Sequence, residues 1–360
     1  MAGNVYDFKE RVVLPHQKVS DWQAAIYRCV GLDAQDARVL AENLVTADLR
    51  GVYSHGIQRT PNYVRQFVER ELEAKAKPGV IKREGAVAVV DGNNASGIVV
   101  ATFAAKLAVE IAREFGTSAV SVTRGAHLGA CAGYVEIATT ADMIGFCWSN
   151  GGCNLMAPHG GGERQLGSNP FAIGAPCFSK PAMVLDMATS VVARGKIAVA
   201  AMTGVDIPEG WALDADGNPT TDSKYAMAGA LLPFGGYKGS GLALMNSVIT
   251  AILIDSRFGR SMPDLRDPLG EPQGVAHLFQ AINIAEFTDV ESFKKRMDKV
   301  VEYIQGGRKA DGFEEIMVPG EPEARARARQ LKEGIAYPME VITRNNDVAV
   351  KYGVAKIVDF

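Results

Sequence analysis

The sequence predicts an α/β protein in which a mainly helical N-terminal part precedes a region of alternating strands and helices. The 360 residues are 47% hydrophobic and 22% charged, a composition typical of a folded protein of about two domains with a substantial core. Helical periodicity dominates the first eighty or so residues. From Gly85 onward, apolar strands alternate with helices. Such alternation is the pattern of α/β domains.

Capping residues predict the first helices. Residues 20–23 match the capping-box pattern and predict a helix start there. Asp33 is the predicted cap of a second helix over residues 34–48, which carries an apolar stripe on one face. Gly51 ends this helix, because glycine tolerates the left-handed conformation at a helix C-terminus.

The downstream elements follow from apolar runs that turn residues separate. Predicted strands lie at residues 86–91, 118–122, 143–149, 183–187 and 277–284. Predicted helices lie at residues 98–115, from about 129, at 239–254, from 288 with a second capping box, and at 321–332. Residues 211–222 are rich in turn formers and are predicted to connect two elements.

The stretch from Asp48 to Tyr63 concentrates side chains that could carry chemistry. Arg59 lies four residues after His55, a spacing that in a helical turn places both side chains on one face. Pro61 is predicted in the first turn of the next helix, with Thr60 as its cap. A histidine that transfers a proton beside an arginine that grips a carboxylate suits an enzyme acting on the carbon next to a carboxylate. A surface turn is the alternative interpretation.

A glycine-rich segment follows the second predicted strand. Residues 124–131 lead from that strand into a helix, where backbone N–H groups can bind phosphate. The G-x-G-x-x-G fingerprint is absent, since Gly125, Gly129 and Gly133 are spaced by four. A dinucleotide bound here would therefore occupy an unconventional scaffold. A helix-packing ridge of small residues is the alternative.

Other polar groups lie at turns and strand ends. Ser168 and Asn169 form a tight turn and offer a hydroxyl and an amide to substrate oxygens, unless the turn is purely structural. Asp186 lies near the end of a predicted strand, where α/β proteins place ligand contacts. Lys238, in a Gly-rich segment at a helix start, could hold an anion, although the P-loop pattern is not satisfied.

Several function classes are disfavoured. No G-x-S-x-G elbow occurs and the five histidines lack metal-ligand spacing, so we expect neither a hydrolase nor a metal site. The net charge of −3 and the lack of a basic stripe predict no nucleic-acid partner. Five cysteines without C-x-x-C spacing, a charged N-terminus and no long apolar run predict a cytoplasmic protein without disulfides or membrane contact.

Taken together, these segments resemble the malate/L-lactate/L-sulfolactate dehydrogenase family, which is unrelated to the Rossmann-type lactate and malate enzymes. The resemblance spans most of the chain and rests on seven segments in the right order. They are Ser54-His55-Gly56 with Arg59, residues 127–134, 158–176, 186–190, 194–196, 235–239 and 319–321. Relatives in the family include ureidoglycolate dehydrogenase, diketogulonate reductase and piperideine-carboxylate reductase.

The resemblance implies an NAD- or NADP-dependent oxidoreductase that interconverts a 2-oxo acid and a 2-hydroxy acid. It also implies a homodimer with sites near the interface. The fold would combine an atypical, non-Rossmann mixed-sheet nucleotide-binding domain at residues 119–295 with a mainly helical dimerisation domain from residues 1–118 and 296–360. Some members instead reduce cyclic imines that carry a carboxylate, so a ketimine reductase is the alternative enzyme. A catalytically silent relative is the alternative outside enzymes.

The resemblance also assigns roles by position. His55 becomes the proton donor and acceptor, with Ser54 orienting it, and Arg59 clamps the substrate carboxylate. Ser168 would touch substrate, with Asn169 beside it. His127 is the assigned base in some members, so the acid-base role is open between the two histidines. Cofactor contacts are implied for His127, Leu128, Gly129, Ala130, Cys131, Asp186, Met187, Ala188, Lys238, Pro319, Gly320 and Glu321.

Two further expectations concern the proton relay. In the imine reducers an acidic residue completes a relay with the Ser-His pair, and the matching position in this chain is Lys196, which weakens the imine-reductase interpretation. A histidine near its ordinary pKa of about 6.5 would work in both directions near neutral pH.

Overall fold

The computed structural model describes residues 10–151, 154–263 and 270–359. Its strands form a large mixed sheet and two small antiparallel pairs. In chain order they are β1 (Arg11–Leu14), β2 (Gly79–Glu84), β3 (Val87–Asp91), β4 (Ala119–Gly125), β5 (Met143–Ser149), β6 (Phe171–Ala175), β7 (Met183–Met187), β8 (Ala212–Leu213), β9 (Pro219–Thr220), β10 (Val275–Asn283) and β11 (Ile335–Pro338).

The large sheet has seven strands in the described part of the chain, in the order β2-β3-β4-β10-β5-β6-β7. Strands β3 and β4 pair in parallel, with Val89 opposite Ser121. The other neighbours are antiparallel, and β10 joins the two halves by pairing with β4 on one side and β5 on the other. The predicted α/β class with a mixed sheet is therefore confirmed.

Helices cover the sheet and build a separate layer. They are α1 (His16–Cys29), α2 (Ala34–Leu49), α3 (Thr60–Val68), α4 (Gly97–Phe115), α5 (Ala132–Thr140), α6 (Arg194–Thr203), α7 (Ser223–Ala228), α8 (Tyr237–Thr250), α9 (Val290–Gln305), α10 (Glu321–Glu333) and α11 (Met339–Lys351). Helices α4 and α5 pack on the sheet through a core that includes Ile111, Val135, Val122 and Phe279.

The two ends of the chain share one hydrophobic core. Leu40 and Leu44 of α2 pack there with Ile57, with Tyr337 of β11 and with Ile342 of α11. Strand β1 pairs with β11 across more than three hundred residues of sequence. This layer places the stretch that follows α2 between the C-terminal elements and the sheet.

Several helix boundaries agree with their capping chemistry and others do not. The Asp33 carboxylate accepts the Asp36 N–H at the start of α2, and Gly116 ends α4 in the left-handed conformation. The predicted helix start at residues 20–23 is wrong, because α1 already begins after Pro15 and buries Ser20 in its interior. The cap of α9 is Asp289, whose carboxylate accepts the Ser292 N–H, rather than the predicted Thr288.

The predicted domain limits stay a prediction. Strands β2 and β3 and helix α4 precede residue 118 and belong to the large sheet and its cover. Helix α9 begins at Val290 and runs past residue 296. The predicted boundary at residue 119 therefore falls at the start of β4, inside the large sheet, and the one at residue 296 falls inside α9.

One helical stretch among the described residues, Tyr237–Ile254, is long and apolar enough to cross a membrane. Its 18 residues have a mean hydropathy of 1.3 and one third of them are buried. The sequence predicts no such run. A single stretch of this kind is weak evidence for membrane insertion, because core helices of soluble proteins meet the same criteria.

Candidate active site

The segment after α2 makes a sharp double turn that presents the predicted catalytic residues. Residues Tyr53–His55 and Ile57–Arg59 form two 3-10 turns with Gly56 extended between them. The predicted single helical turn through His55 and Arg59 is therefore wrong. We call residues 53–59 the catalytic turn.

Asp48 lies beneath the catalytic turn and explains its shape. Its Oδ2 atom accepts the Ile57 N–H at 3.0 Å and the Tyr337 hydroxyl at 3.0 Å. A Cβ atom at Gly56 would lie 1.6 Å from Asp48 Oδ1, so no larger residue fits there. Burial raises the pKa of Asp48 to about 8, against the opposing effect of the two hydrogen bonds. The turn is therefore supported by a carboxyl group that is mostly neutral at pH 7.

His55 is held between a hydroxyl and a guanidinium. The Ser54 Oγ atom lies 2.9 Å from His55 Nδ1, as expected of an orienting hydroxyl. The Nε atom of Arg59 donates to the Ser54 carbonyl at 2.8 Å. Burial, and after it the charge of Arg59, lowers the pKa of His55 to about 3. The expectation of an ordinary pKa is wrong, since the buried site disfavours imidazolium.

His127 stacks on His55. Their ring centroids lie 5.8 Å apart, and the ring planes differ by 13°. The Tyr63 hydroxyl lies 2.7 Å from His127 Nδ1, and the Gly129 N–H donates to the same nitrogen at 3.3 Å. Because that N–H requires Nδ1 to accept, a neutral His127 carries its proton on Nε2. Burial, and then Arg59 and the neighbouring histidines, lower the pKa of His127 well below its usual range.

A cleft of about 560 Å³ joins the catalytic turn to the predicted cofactor segments. Ten of the predicted site residues line it, in four separate segments of the chain. They are Ser54, His55, Gly129, Ala130, Cys131, Asp186, Met187, Ala188, Pro319 and Gly320. The cleft also contacts residues that the sequence analysis did not single out, including Arg50, Val184, Leu185, Pro322 and Glu323.

Some predicted site residues lie outside this lining. Arg59 contacts the Ser54 carbonyl and His127 stacks on His55, but neither is among the lining residues, and Leu128 is buried in the sheet core. Glu321 accepts hydrogen bonds from the Val318 N–H, Gln305 and Arg325. Lys238 is exposed in the first turn of α8.

The Ser168–Asn169 turn packs against α8 and the end of β7. Asn169 is fully buried, and its Nδ2 atom donates to the Ala243 carbonyl and to Ser247 Oγ. The Ser168 carbonyl accepts two hydrogen bonds from Thr189. These contacts support the turn. The predicted substrate contacts of both residues stay a prediction, as does the cofactor contact of Lys238.

Lys196, the predicted substitute for the acid of the relay, is exposed on α6. The carboxyl group that contacts the catalytic turn comes instead from Asp48, through the Ile57 N–H. In the described part of the chain, this carboxyl group therefore supports the backbone of the catalytic turn, and its hydrogen bonds do not reach the Ser54–His55 pair.

The start of α5 does not offer a free phosphate site. The Ala132 N–H donates to Asp186 Oδ2 at 2.8 Å, so a carboxylate of the protein already satisfies this helix start. Burial raises the pKa of Asp186 to about 6, against the Ala132 N–H and the charge of Arg50. The predicted binding of phosphate by this helix start is therefore not supported by the geometry.

Arg50 and Tyr63 are functional candidates that sequence reasoning missed. Both lie in the stretch that drew attention to His55, yet no motif marks either residue. Arg50 is 8% exposed, forms an ion pair with Glu136 and lines the cleft. Its Nε atom is buried and has no hydrogen-bond partner in residues 10–151, 154–263 and 270–359. Such an orphaned cationic donor fits a cleft that receives an anionic ligand.

Nearly the whole chain matches one known protein family. The family model described as malate/L-lactate dehydrogenase matches residues 14–344 of the chain. The chain belongs to this family. As a member of the malate/L-lactate dehydrogenase family it is an oxidoreductase.

Curated relatives align over most of the chain. A malate dehydrogenase of Pyrococcus abyssi is 36% identical over 95% of this chain and 96% of its own length. A (2R)-3-sulfolactate dehydrogenase (NADP(+)) of Chromohalobacter salexigens is 36% identical over 74% of this chain and 79% of its own. A ureidoglycolate dehydrogenase (NAD(+)) of Escherichia coli is 32% identical over 85% and 86%, respectively.

Solved structures share the whole architecture. Malate dehydrogenase from Pyrococcus horikoshii superposes with a TM-score of 0.88 at 32% identity, covering 97% of both chains. Delta1-piperideine-2-carboxylate reductase from Pseudomonas syringae superposes with a TM-score of 0.84 at 29% identity, covering 94% of this chain and 100% of its own. The family therefore combines this fold with more than one named reaction.

Proposed function

We propose that the protein interconverts a 2-oxo acid and the corresponding 2-hydroxy acid, with NAD or NADP as the hydride carrier and His55 as the acid-base residue. The observation that supports this most is the single cleft that joins Ser54 and His55 to the segments expected to bind a cofactor. The names of relatives, which include dehydrogenases of malate, sulfolactate and ureidoglycolate with NAD(+) or NADP(+), support the same class.

His55 would move the proton in this reaction. Hydride transfer to and from the hydroxyl-bearing carbon is the chemistry that a bound nicotinamide cofactor would supply. In the oxidation direction His55, neutral because burial and Arg59 lower its pKa, accepts the proton that leaves the substrate hydroxyl. In the reduction direction a protonated His55 returns that proton to the oxygen. A positioned acid-base residue of this kind contributes about 10²–10⁴ in rate.

Arg59 would bind the substrate carboxylate. Its Nε atom is fixed on the Ser54 carbonyl, which leaves the two terminal nitrogens of the fork for a carboxylate. A carboxylate bound there would offset the positive charge that lowers the pKa of His55. Substrate binding would therefore raise the pKa of His55 and favour its protonated form, which the reduction direction requires.

His127 would support rather than transfer the proton. His55 lines the cleft, whereas His127 stacks on His55 and has its Nδ1 atom held by Tyr63. With its proton on Nε2, His127 can donate a hydrogen bond to a substrate oxygen but has no free basic nitrogen on that side. The opposite assignment, with His127 as the base, would appear as a larger loss of turnover in a His127 variant.

Reduction of a carboxylate-bearing cyclic or N-substituted imine with NADPH is the second candidate. The structural match to a piperideine-carboxylate reductase favours it. The exposed Lys196, where the imine reducers are expected to carry an acid, argues against it.

We also propose a homodimer with sites near the interface. Helix α8 and the 3-10 turn after it expose an apolar stripe, which consists of Tyr237, Leu244, Met245, Val248 and Ile252. These residues recur at helical spacing on one face. A patch of this kind is typical of a protein-protein contact. The start of α8 packs beside Thr189, three residues from Asp186 of the cleft.

The substrate class can be tested by following nicotinamide absorbance with NADH and with NADPH across 2-oxo acids, each with and without added amine. Turnover with plain 2-oxo acids supports the dehydrogenase. Turnover that requires amine supports the imine reductase instead. Absence of turnover with every pair of cofactor and acid would contradict both.

A further inference from the structure

We propose that Arg50 is the phosphate-binding residue of the cleft and holds the diphosphate of the dinucleotide cofactor. This inference deepens the proposed function and depends on it. It assigns a cofactor role to a residue that no sequence motif indicated.

The surroundings of Arg50 leave part of its guanidinium for a ligand. Arg50 follows α2 directly, and its backbone N–H donates to the Thr46 carbonyl at 3.1 Å. Its Nη1 atom contacts Glu136 of α5. Its Nε atom is buried without a partner in the described part of the chain. Leaving a buried donor unpaired is energetically costly, and a ligand oxygen would remove this cost.

Because carboxyl groups line the cleft, an anion that binds there needs the positive charge of Arg50. Asp186 and Glu323 both line the cleft and carry carboxyl groups. Arg50 is the single lysine or arginine among the described residues that line it. A diphosphate with two negative charges would meet mainly repulsion without this guanidinium. Arginine also matches phosphate oxygens with several donors at once.

The other expected phosphate donors are already satisfied. The Ala132 N–H at the start of α5 donates to Asp186, and the Gly129 N–H donates to His127. Glu136, in contrast, has a second cationic neighbour, because Arg327 lies 3.4 Å from its Oε2 atom. A ligand can therefore bind the Arg50 guanidinium while Glu136 keeps Arg327 as a cationic partner.

The position of Arg50 fits the middle of a dinucleotide. Arg50 lies five positions before His55, beside which the reacting nicotinamide would lie. The cleft is also lined by Asp186 and Val184 of β7. The Val184 N–H donates to the Pro319 carbonyl at 3.1 Å. Gly320 also packs against Val184. The diphosphate connects the two halves of the cofactor, and Arg50 lines the same cleft as both of these groups of residues, close enough for its charge to act on Asp186.

Equilibrium binding tests the inference without turnover. Dissociation constants for NADH and for ADP-ribose are measured by fluorescence or calorimetry for the native protein, Arg50→Met and Arg327→Met. Arg327 is the matched control, since it contacts the same Glu136 but does not line the cleft. Arg50→Met/Glu136→Gln removes both charges of the pair, and thermal unfolding shows whether each variant is folded.

We expect Arg50→Met, alone or with Glu136→Gln, to weaken NADH and ADP-ribose equally, by about tenfold to a hundredfold, as for the loss of a charged hydrogen bond. Arg327→Met should bind both ligands like the native protein. Unchanged affinity in the folded double variant would overturn the inference while leaving the proposed function intact. A loss of affinity for NADH alone would also overturn the inference, because ADP-ribose contains the same diphosphate and should be weakened as well. A native protein that binds neither NADH nor NADPH would overturn the proposed function itself, and this inference with it.

Discussion

The imidazole of His55 lies between the Ser54 hydroxyl and the charge of Arg59. The environment that lowers its pKa to about 3 is made first by burial and then by Arg59. Burial persists whether or not substrate is bound, but the effect of Arg59 depends on what occupies its fork. The protonation state of His55 is therefore coupled to binding of the substrate carboxylate.

This coupling can be measured by NMR titration of the histidine Cε1–H signals. In the free protein His55 should titrate far below the ordinary value of about 6.5. A carboxylate inhibitor bound at Arg59, or the change Arg59→Met, should move its pKa upward. Arg38→Met is the control, because Arg38 is an exposed partner of Asp21. An ordinary pKa for His55 in the free protein would contradict the account.

Position 56 requires glycine because there is no room for a side chain, and not because of its backbone conformation. A methyl group there would overlap Asp48 Oδ1 at 1.6 Å, so Gly56→Ala must displace the carboxyl group or the turn. We expect a loss of about 1–3 kcal/mol in the free energy of unfolding and a large loss of turnover. Gly195→Ala is the control, since nothing lies within 4 Å of its added Cβ atom. Denaturant unfolding of both variants checks this; equal stability would show that the turn does not depend on Asp48.

Asp48 connects three elements: α2, which carries it, the catalytic turn and β11, which contributes Tyr337. Its raised pKa predicts how pH acts on this connection. The folded protein holds the proton more tightly than the unfolded chain. This contribution to stability is therefore complete below pH ~4 and is lost as the pH rises through about 8.

Asp48→Asn should remove that loss because an amide does not ionise. Between pH 5 and pH 8 the native protein should lose stability relative to Asp48→Asn, by at most about 1.4 kcal/mol per pH unit. Denaturant unfolding at both pH values measures the difference. A constant difference across this range would mean that Asp48 is ionised throughout.

Strong local patterns predicted the elements that build the sheet. The alternating strand Met143–Ser149 and the strand Met183–Met187 have the predicted bounds, and Gly116 ends α4 as expected. Strands β1, β2, β6, β8, β9 and β11 and helices α6, α7 and α11 were not predicted. Strand β6 contains two alanines and a glycine, and β11 ends in proline. Their formation depends on pairing with β5 and β1, which local sequence does not reveal.

The candidate site could be predicted in part for the same reason. Short segments such as Ser54-His55-Gly56 and the turn at Pro319 are recognisable one by one, and the cleft brings them together. The contributions of Arg50, Tyr63 and Asp48 depend on distances across the fold. Asp48 reaches Tyr337 over 289 positions, and no local pattern encodes such a contact.

At the scale of the whole molecule, the apolar stripe on α8 predicts association. If it forms the dimer contact, a charge at its centre should separate the subunits. Met245→Glu should shift the protein toward monomer in sedimentation velocity at micromolar concentration. Val68→Glu, at an apolar residue on α3 that is similarly exposed, should leave the dimer unchanged. A native protein that sediments as a monomer would contradict the proposal.

The most direct test of the central claim compares turnover and cofactor binding in one pair of variants. Oxidation of the best 2-hydroxy acid is followed by nicotinamide absorbance in the native protein, His55→Asn and His127→Asn, with NADH affinity measured alongside. We expect His55→Asn to lower turnover by about 10²–10⁴ while NADH still binds, and His127→Asn to lower it less. Full turnover in His55→Asn, or the larger loss in His127→Asn, would contradict the assignment of His55 as the acid-base residue.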